Sequence, residues 1–185
     1  MDPWKLPEAA TIGDVEYEIN TDFRDIILIM QVLMDPEKTE YVRWLTAIAL
    51  FYEGEIPQEH EQQAMEYLAS FISYGEKDDE QPGPRLLDWE QDAQVVVAEV
   101  NKVAGYEVRS VPYLHWWTFL SFFQAIGEGQ LSTLISIRDK LRRGKKLETW
   151  EQEYYRQNKH KVDLQQRYSA EELAEQQRLK QLLGE

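Results

Sequence analysis

The stretch Tyr113-Leu114-His115-Trp116-Trp117-Thr118-Phe119-Leu120-Ser121-Phe122-Phe123-Gln124-Ala125-Ile126 is the most apolar of the chain, and Pro112 stands at its start. Its length of about fourteen residues falls short of the ~20 needed to cross a bilayer. A segment that is apolar nearly all round and too short to span belongs in the middle of a folded body, as a core helix with other helices around it. His115, Trp116 and Trp117 carry ring N–H groups that need partners once buried, and a satisfied core role is preferred over a binding site for all three.

Upstream, Asp88 and Gln91 have the spacing of a capping box, and Trp89, Ala93, Val96, Val97 and Val100 give the following helix one apolar face before Gly105 ends it. Tyr106 to Val111 reads as extended. Downstream, Leu131, Leu134, Ile135, Arg138 and Leu141 recur at helical spacing until Gly144. Closer to the N-terminus, Val15, Tyr17 and Ile19 alternate with acids after Gly13-Asp14, which predicts a small β hairpin. Thr21 is the expected N-cap of a first helix with Phe23, Ile26, Ile27, Met30, Leu33 and Met34 on one face. Asp35-Pro36 is expected to open a second helix running to Tyr52, with Tyr41, Leu45, Ile48, Ala49 and Tyr52 buried. Pro57 then opens a third, facing inward through Met65, Leu68, Ala69 and Ile72, before Gly75.

Residues 75–87 combine helix breakers with consecutive charges and read as an exposed, mobile loop, in which Asp78-Asp79-Glu80 lacks the ligand spacing of a calcium site. Beyond Gly144 apolar residues thin out, although Trp150, Tyr154 and Tyr155 can still dock on the body. Ser169 and Glu172 form a capping box for a last, largely polar helix with Leu173, Leu179, Leu182 and Leu183. The sequence therefore predicts a mainly α single domain. Residues 1–143 form a helical core with an N-terminal hairpin, and residues 144–185 a charged, partly detached helical extension.

Composition sets the function classes. The chain has 185 residues, 43% hydrophobic and 12% aromatic, which is enough to bury a core. It has no cysteine, so disulfides, thiolate metal sites and a cysteine nucleophile are excluded. No signal peptide or membrane span is visible, and a soluble protein that stays where it is made, with no membrane partner, is expected. Net charge is -14 and unevenly spread: residues 1–80 hold 19 acids against 5 bases, whereas residues 138–168 hold 10 bases against 5 acids. An acidic body repels phosphates and argues against nucleic-acid binding. The basic segment around Arg138, Arg142 and Arg143 reads as a solvated helix surface or as a site for an acidic partner.

Nucleophile elbows, phosphate-cradling Gly loops and dinucleotide fingerprints are absent, and the three histidines stand apart without metal-ligand spacing. No cofactor or metal is expected, and a small enzyme using His115 is the least favoured reading. Asp22 and Arg24, where the hairpin meets the first helix, suit a structural junction, with Asp22 at the positive end of the helix dipole.

Several of these residues also carry a family likeness. Tyr17-x-Ile19-x-Thr21-Asp22-Phe23-Arg24, Leu87-Asp88-Trp89-Glu90-Gln91-Asp92, Leu114-His115-Trp116-Trp117-x-Phe119 and Ile137-Arg138 together resemble the "gene product fifteen" family of phages and prophages of Gram-positive bacteria. The likeness runs from about Leu6 to Leu164. One departure is Tyr106-Glu107-Val108-Arg109, where the family carries Tyr-x-Ile-Asp-Leu. The resemblance implies a non-enzymatic, chaperone-like protein of siphophage tail assembly, because its genes lie in the tail module beside a tail-assembly chaperone gene and ahead of the tape-measure gene. Implied partners are the tape-measure protein, the tail-tube protein or the neighbouring tail-assembly chaperone, while the charge asymmetry of the chain also suits a second copy of itself. A minor tail or connector component retained in the virion is the alternative.

Overall fold

Gly13 adopts φ +61° between two short strands, β1 (Ala9–Ile12) and β2 (Val15–Glu18). They pair antiparallel with Ile12 opposite Val15. A Cβ on Gly13 would lie 2.7 Å from His60 Nε2, so both the backbone angle and the close approach require glycine. Its N–H donates to Gln63 Oε1 at 2.8 Å. The expected hairpin is present and is fastened to the helical body at its tip.

The structure is a computed structural model that describes residues 4–75 and 85–165, together with 168, 169, 172 and 178. Seven helices occur among the described residues: α1 (Phe23–Leu33), α2 (Glu40–Phe51), α3 (Glu61–Ile72), α4 (Ala93–Ala104), α5 (Trp116–Gln124), α6 (Gln130–Arg142) and α7 (Thr149–Val162). The protein is mainly α, as its periodicity predicts. α1 packs on α2 and α5, α2 on α3, α4 on α5 and α6, and α6 on α7.

The core is aromatic at its centre. Trp116, Phe119, Phe71 and Phe51 are almost fully buried. Phe119 stacks on Phe23 of α1 with ring centroids 4.5 Å apart, and on Trp116 at 5.7 Å. Trp117 stacks on Phe71 of α3. Ile26 and Ile29 of α1, Leu68 of α3, and Val96 and Val100 of α4 close the remaining space. α5 is thus the central helix, but its nine residues begin at Trp116, and Tyr113 is 52% exposed. Residues 113–115 instead run extended past the start of α1, where Asp22 and His115 form an isolated antiparallel bridge.

Several boundaries differ from the sequence reading, each for a local reason. Asp22, not Thr21, caps α1 by accepting the Arg24 N–H, while Thr21 Oγ1 lies 2.7 Å from the Tyr113 hydroxyl. Asp35 closes a turn by accepting the Glu37 N–H, so α2 starts later, at Glu40, capped by Thr39. Its buried residues are Ala47, Ile48, Phe51 and the flanking Tyr52, leaving Tyr41 and Ala49 outside. Pro57 precedes a short 3-10 turn, Gln58–His60, before α3. α3 buries Ala64, Leu68 and Phe71, and Ala69 is exposed. Asp88 accepts the N–H groups of Glu90 and Gln91, yet the turn it caps precedes a helix that starts only at Ala93. The segment expected to be extended holds a 3-10 turn, Val108–Ser110.

Gly105 ends α4 at φ +77° and Gly144 follows α6 at φ +62°, as the sequence suggests. Gly129 precedes α6 because space is short: a Cβ there would lie 2.8 Å from Glu99 Oε1. Glu99 accepts the Gln130 N–H, and Lys102 beside it holds its carboxyl below the usual carboxylate range.

α7 lies on α6, with Leu147 and Val162 buried beside Leu134 and Ile137 and with Tyr154 and Tyr155 half-buried over them. Trp150 is 54% exposed. The Ser169–Glu172 capping box is formed, each residue's backbone N–H donating to the other's side chain. Asp78-Asp79-Glu80 and the leucines at 173, 179, 182 and 183 lie outside the described residues.

Trp116→Ala removes the largest fully buried side chain, and the expected loss is about 3–5 kcal/mol of unfolding free energy. Chemical denaturation of the purified variant measures it, and a loss below about 1 kcal/mol would mean that α5 is not the packing centre.

Candidate functional site

Two of the motifs singled out in the sequence, at residues 21–24 and 114–117, meet where the extended segment before α5 crosses the start of α1. The Phe23 N–H donates to Leu114 O at 3.0 Å and the Trp116 N–H to Thr21 O at 2.7 Å. Asp22 Oδ2 accepts the Leu114 N–H at 3.1 Å. Arg24 lies alongside, its Nη1 donating to both oxygens of Asp22 at 3.0 and 2.9 Å. Its Nη2 reaches Val111 O at 2.7 Å, and its guanidinium carbon sits 4.6 Å from the Phe23 ring centroid. A planar fork that pairs with a carboxylate, meets a carbonyl and covers a ring is a task for arginine rather than lysine.

His115 caps α5. Its Nδ1 accepts the Trp117 N–H at 3.0 Å. That fixes the neutral tautomer with the proton on Nε2, which donates to Pro7 O at 3.1 Å. Burial pushes the imidazole pKa down, against smaller upward effects from the Pro7 carbonyl and Glu8. The two indoles serve another helix end: Trp116 Nε1 donates to Ile72 O at 3.0 Å and Trp117 Nε1 to Phe71 O at 2.9 Å. These carbonyls belong to the last turn of α3, where intrahelical donors run out. The His-Trp-Trp triplet therefore joins α5 to the N-terminal strand region and to the end of α3.

A second constellation surrounds Arg138. Its Nη1 and Nη2 pair with Asp92 at 2.6 and 2.8 Å. The remaining donors go to carbonyls, from Nε to Val162 at 2.8 Å, from Nη1 to Leu86 at 2.9 Å and from Nη2 to Lys161 at 2.6 Å. All five guanidinium N–H groups are thereby used, and both charged side chains are less than 5% exposed. Gln91 reaches the same helix end, donating to Asp163 O at 2.9 Å. Arg85 pairs with Asp88 nearby. The Leu87–Asp92 and Ile137-Arg138 motifs are thus two halves of one latch that ties α4 and α6 to the end of α7.

Arg142 and Arg143 are not part of it. Both are exposed and pair with Asp139 within their own helix, which fits a solvated helix surface. Asp92 and Glu151 carry structural weight that the sequence reading did not assign. Glu151 is almost fully buried, accepts from Lys140 Nζ at 2.7 Å and caps α7 through the Glu148 N–H. Asp92 lies inside a motif already singled out, but its partner is 46 residues away.

The family model described as Bacteriophage Gp15 protein matches residues 4–164 of this chain. The chain belongs to that family. Membership makes it a bacteriophage protein and places it with phage structure and morphogenesis. No curated protein and no solved structure matches it. The matched span takes in the hairpin, α1 to α7 and the Arg138 latch, so α7 lies within the family's unit. At the departure from the family pattern, Glu107 accepts from Arg109 Nε at 2.8 Å and from Asn101 Nδ2 at 2.9 Å. Arg109 holds the Glu107 carboxyl at about 2.

Arg138→Met leaves Asp92 buried without its cation, and the expected cost is about 3–5 kcal/mol. Adding Asp92→Asn should restore part of that loss, since an amide is less costly to bury unpaired than a carboxylate. Urea unfolding of the single and double variants gives both numbers, and an additive double variant counts against the pair.

His115 makes stability depend on pH. Its folded-state pKa lies below the ordinary 6.5, so the unfolded chain takes up this proton first. Stability then falls as pH drops from about 6.5, and the loss is complete below the folded-state pKa. His115→Asn keeps a capping acceptor without the titration. Its stability should change less than that of the unsubstituted protein between about pH 7.5 and about pH 5. Equal changes in the two proteins would remove His115 from the account.

Proposed function

We propose that this chain is a tail-assembly protein with chaperone-like action, which binds the tape-measure protein, the tail-tube protein or both in the host cytoplasm during tail morphogenesis and performs no chemistry of its own. The observation that carries the reading is what the family-signature polar residues do. Asp22, Arg24, Asp92, His115 and Arg138 are engaged in holding helix ends and crossings together, which leaves the outer faces of a rigid helical body as the working surface.

Charge supports the same reading. The hairpin and first three helices are strongly acidic, whereas α6, α7 and their connection present exposed Lys145, Lys146, Arg156, Lys159 and Lys161. Opposite fields on one small protein favour oriented encounter with protein partners. A long helical partner that self-associates when bare is suited to being held in this way until tube subunits arrive.

Co-expression with the tape-measure, tail-tube and neighbouring chaperone products of the same tail module tests this. The expected result is a complex with the tape-measure or tube protein that survives gel filtration, together with absence of the chain from finished particles by mass spectrometry. No complex with any of the three would overturn the proposal, and stoichiometric retention in particles would assign the chain to the tail structure instead.

A further inference from the structure

α2 and α3 pack side by side, and on their outer side they leave an open groove of about 1000 Å³. It is lined by Trp44 of α2 with Met65 and Ala69 of α3, and by the carboxylates of Glu40, Glu61 and Glu66. Residues 61, 65 and 69 recur at i, i+4 and i+8 and so share the face of α3 that lines the groove. Tyr41 at the edge is 52% exposed, a large apolar ring facing water beside half-buried Trp44 and Met65. Among the described residues no ion pair engages Glu40, Glu61 or Glu66. Glu66 accepts only a neutral amide from Gln62, and Glu61 faces the Tyr41 hydroxyl at 3.5 Å.

We infer that this groove receives one amphipathic α-helix of a partner protein, with its apolar stripe on Trp44, Met65 and Ala69 and with Lys or Arg on both flanks of the stripe. A groove between two packed helices, with apolar Trp44, Met65 and Ala69 along it, suits a third helix better than an extended strand, because a helix presents side chains every turn to one line. The three lining carboxylates fix the sign of the flanks. They also exclude a polyanion, since the N-terminal 80 residues already hold 19 acids against 5 bases. Cationic flanks raise the encounter rate and orient the helix, and that contribution weakens as salt screens it. The inference rests on the reading that the chain works by binding proteins, and it names the surface and the chemistry of the partner.

The probe is a fluorescent peptide of about 18 residues, some 27 Å of helix, with Leu at helical spacing and Lys on both flanks, titrated against the full chain by anisotropy. A twin peptide carries Glu in place of Lys. The Lys peptide should bind, more tightly at low salt, and the Glu peptide at least tenfold more weakly. Glu40→Lys and Glu66→Lys, singly and together, should weaken the Lys peptide progressively, the pair by tenfold or more. Glu16→Lys with Glu18→Lys on the hairpin changes net charge by the same amount and should leave binding within about twofold. Circular dichroism shows that each variant is folded.

No binding of the Lys peptide, or equal weakening by the hairpin and groove pairs, overturns the inference. Concentration-dependent self-association of the chain that Glu40→Lys and Glu66→Lys abolish would assign the groove to a second copy and overturn it equally. If tail proteins co-purify with the chain whether or not the groove is altered, the groove fails and the assembly reading stands. Peptide binding without any tail-protein complex leaves the groove and removes the assembly reading.

Discussion

A helix made largely of indole and phenyl rings can sit at the centre of this protein because each of its buried polar edges is matched. The N-terminus of α5 is closed by His115 Nδ1 and by the Trp116 N–H donating to Thr21 O. The two indole N–H groups end on carbonyls of α3. An unmatched N–H in such a place costs roughly 1–3 kcal/mol, a large fraction of the stability of a domain this size. The matches also determine position. α5 cannot rotate or slide without breaking contacts to α1, to α3 and to Pro7 at once, so the aromatic stacking on Phe23 and Phe71 has one register.

The other organising charge is buried outright. Arg138 and Asp92 would be expensive to remove from water singly, and their geometry offsets that through five donors on one side and a bidentate carboxylate on the other. Because three of those donors end on carbonyls of residues 86, 161 and 162, the pair decides more than its own energy. It fixes where the chain enters the turn before α4 and where α7 stops. Glu151 with Lys140 repeats the device at the start of α7. A strongly charged helix with few apolar residues is held on the body by its two ends more than by its face.

This distribution of labour bears on function. The oddest polar residues, Asp22, Arg24, Asp92, His115 and Arg138, converge on helix ends and crossings. What remains on the outside is an acidic half with an apolar groove between α2 and α3 and a basic half along α6 and α7. Such a body offers faces to other chains, in keeping with a phage morphogenesis family and with the assembly role proposed above. α1, α2 and α3 present their outer faces on a frame that the junction at Asp22 and His115 holds together, so the binding surface proposed above is preformed.

The sequence by itself determined the helical class, the hairpin turn at Gly13, the glycine stops after α4 and α6, the burial of Trp116 and Trp117, and the set of residues that mark the family. These follow from periodicity, turn chemistry and motif, all local. Only the tertiary structure decided which residues those groups would meet. Thr21 and Asp22 can each cap a helix; the Tyr113 hydroxyl, 92 residues away, takes Thr21 and leaves the cap to Asp22. Asp35-Pro36 has the chemistry to begin α2, yet Asp35 closes a turn and the cap falls to Thr39; packing then buries Ala47 and Phe51 beside the expected Ile48 and Tyr52. Asp92 carries no sign that Arg138 is its partner. Pairing of hydrogen-bonding groups across the fold has no periodicity in the sequence, because it depends on how the apolar faces have already brought the helices together.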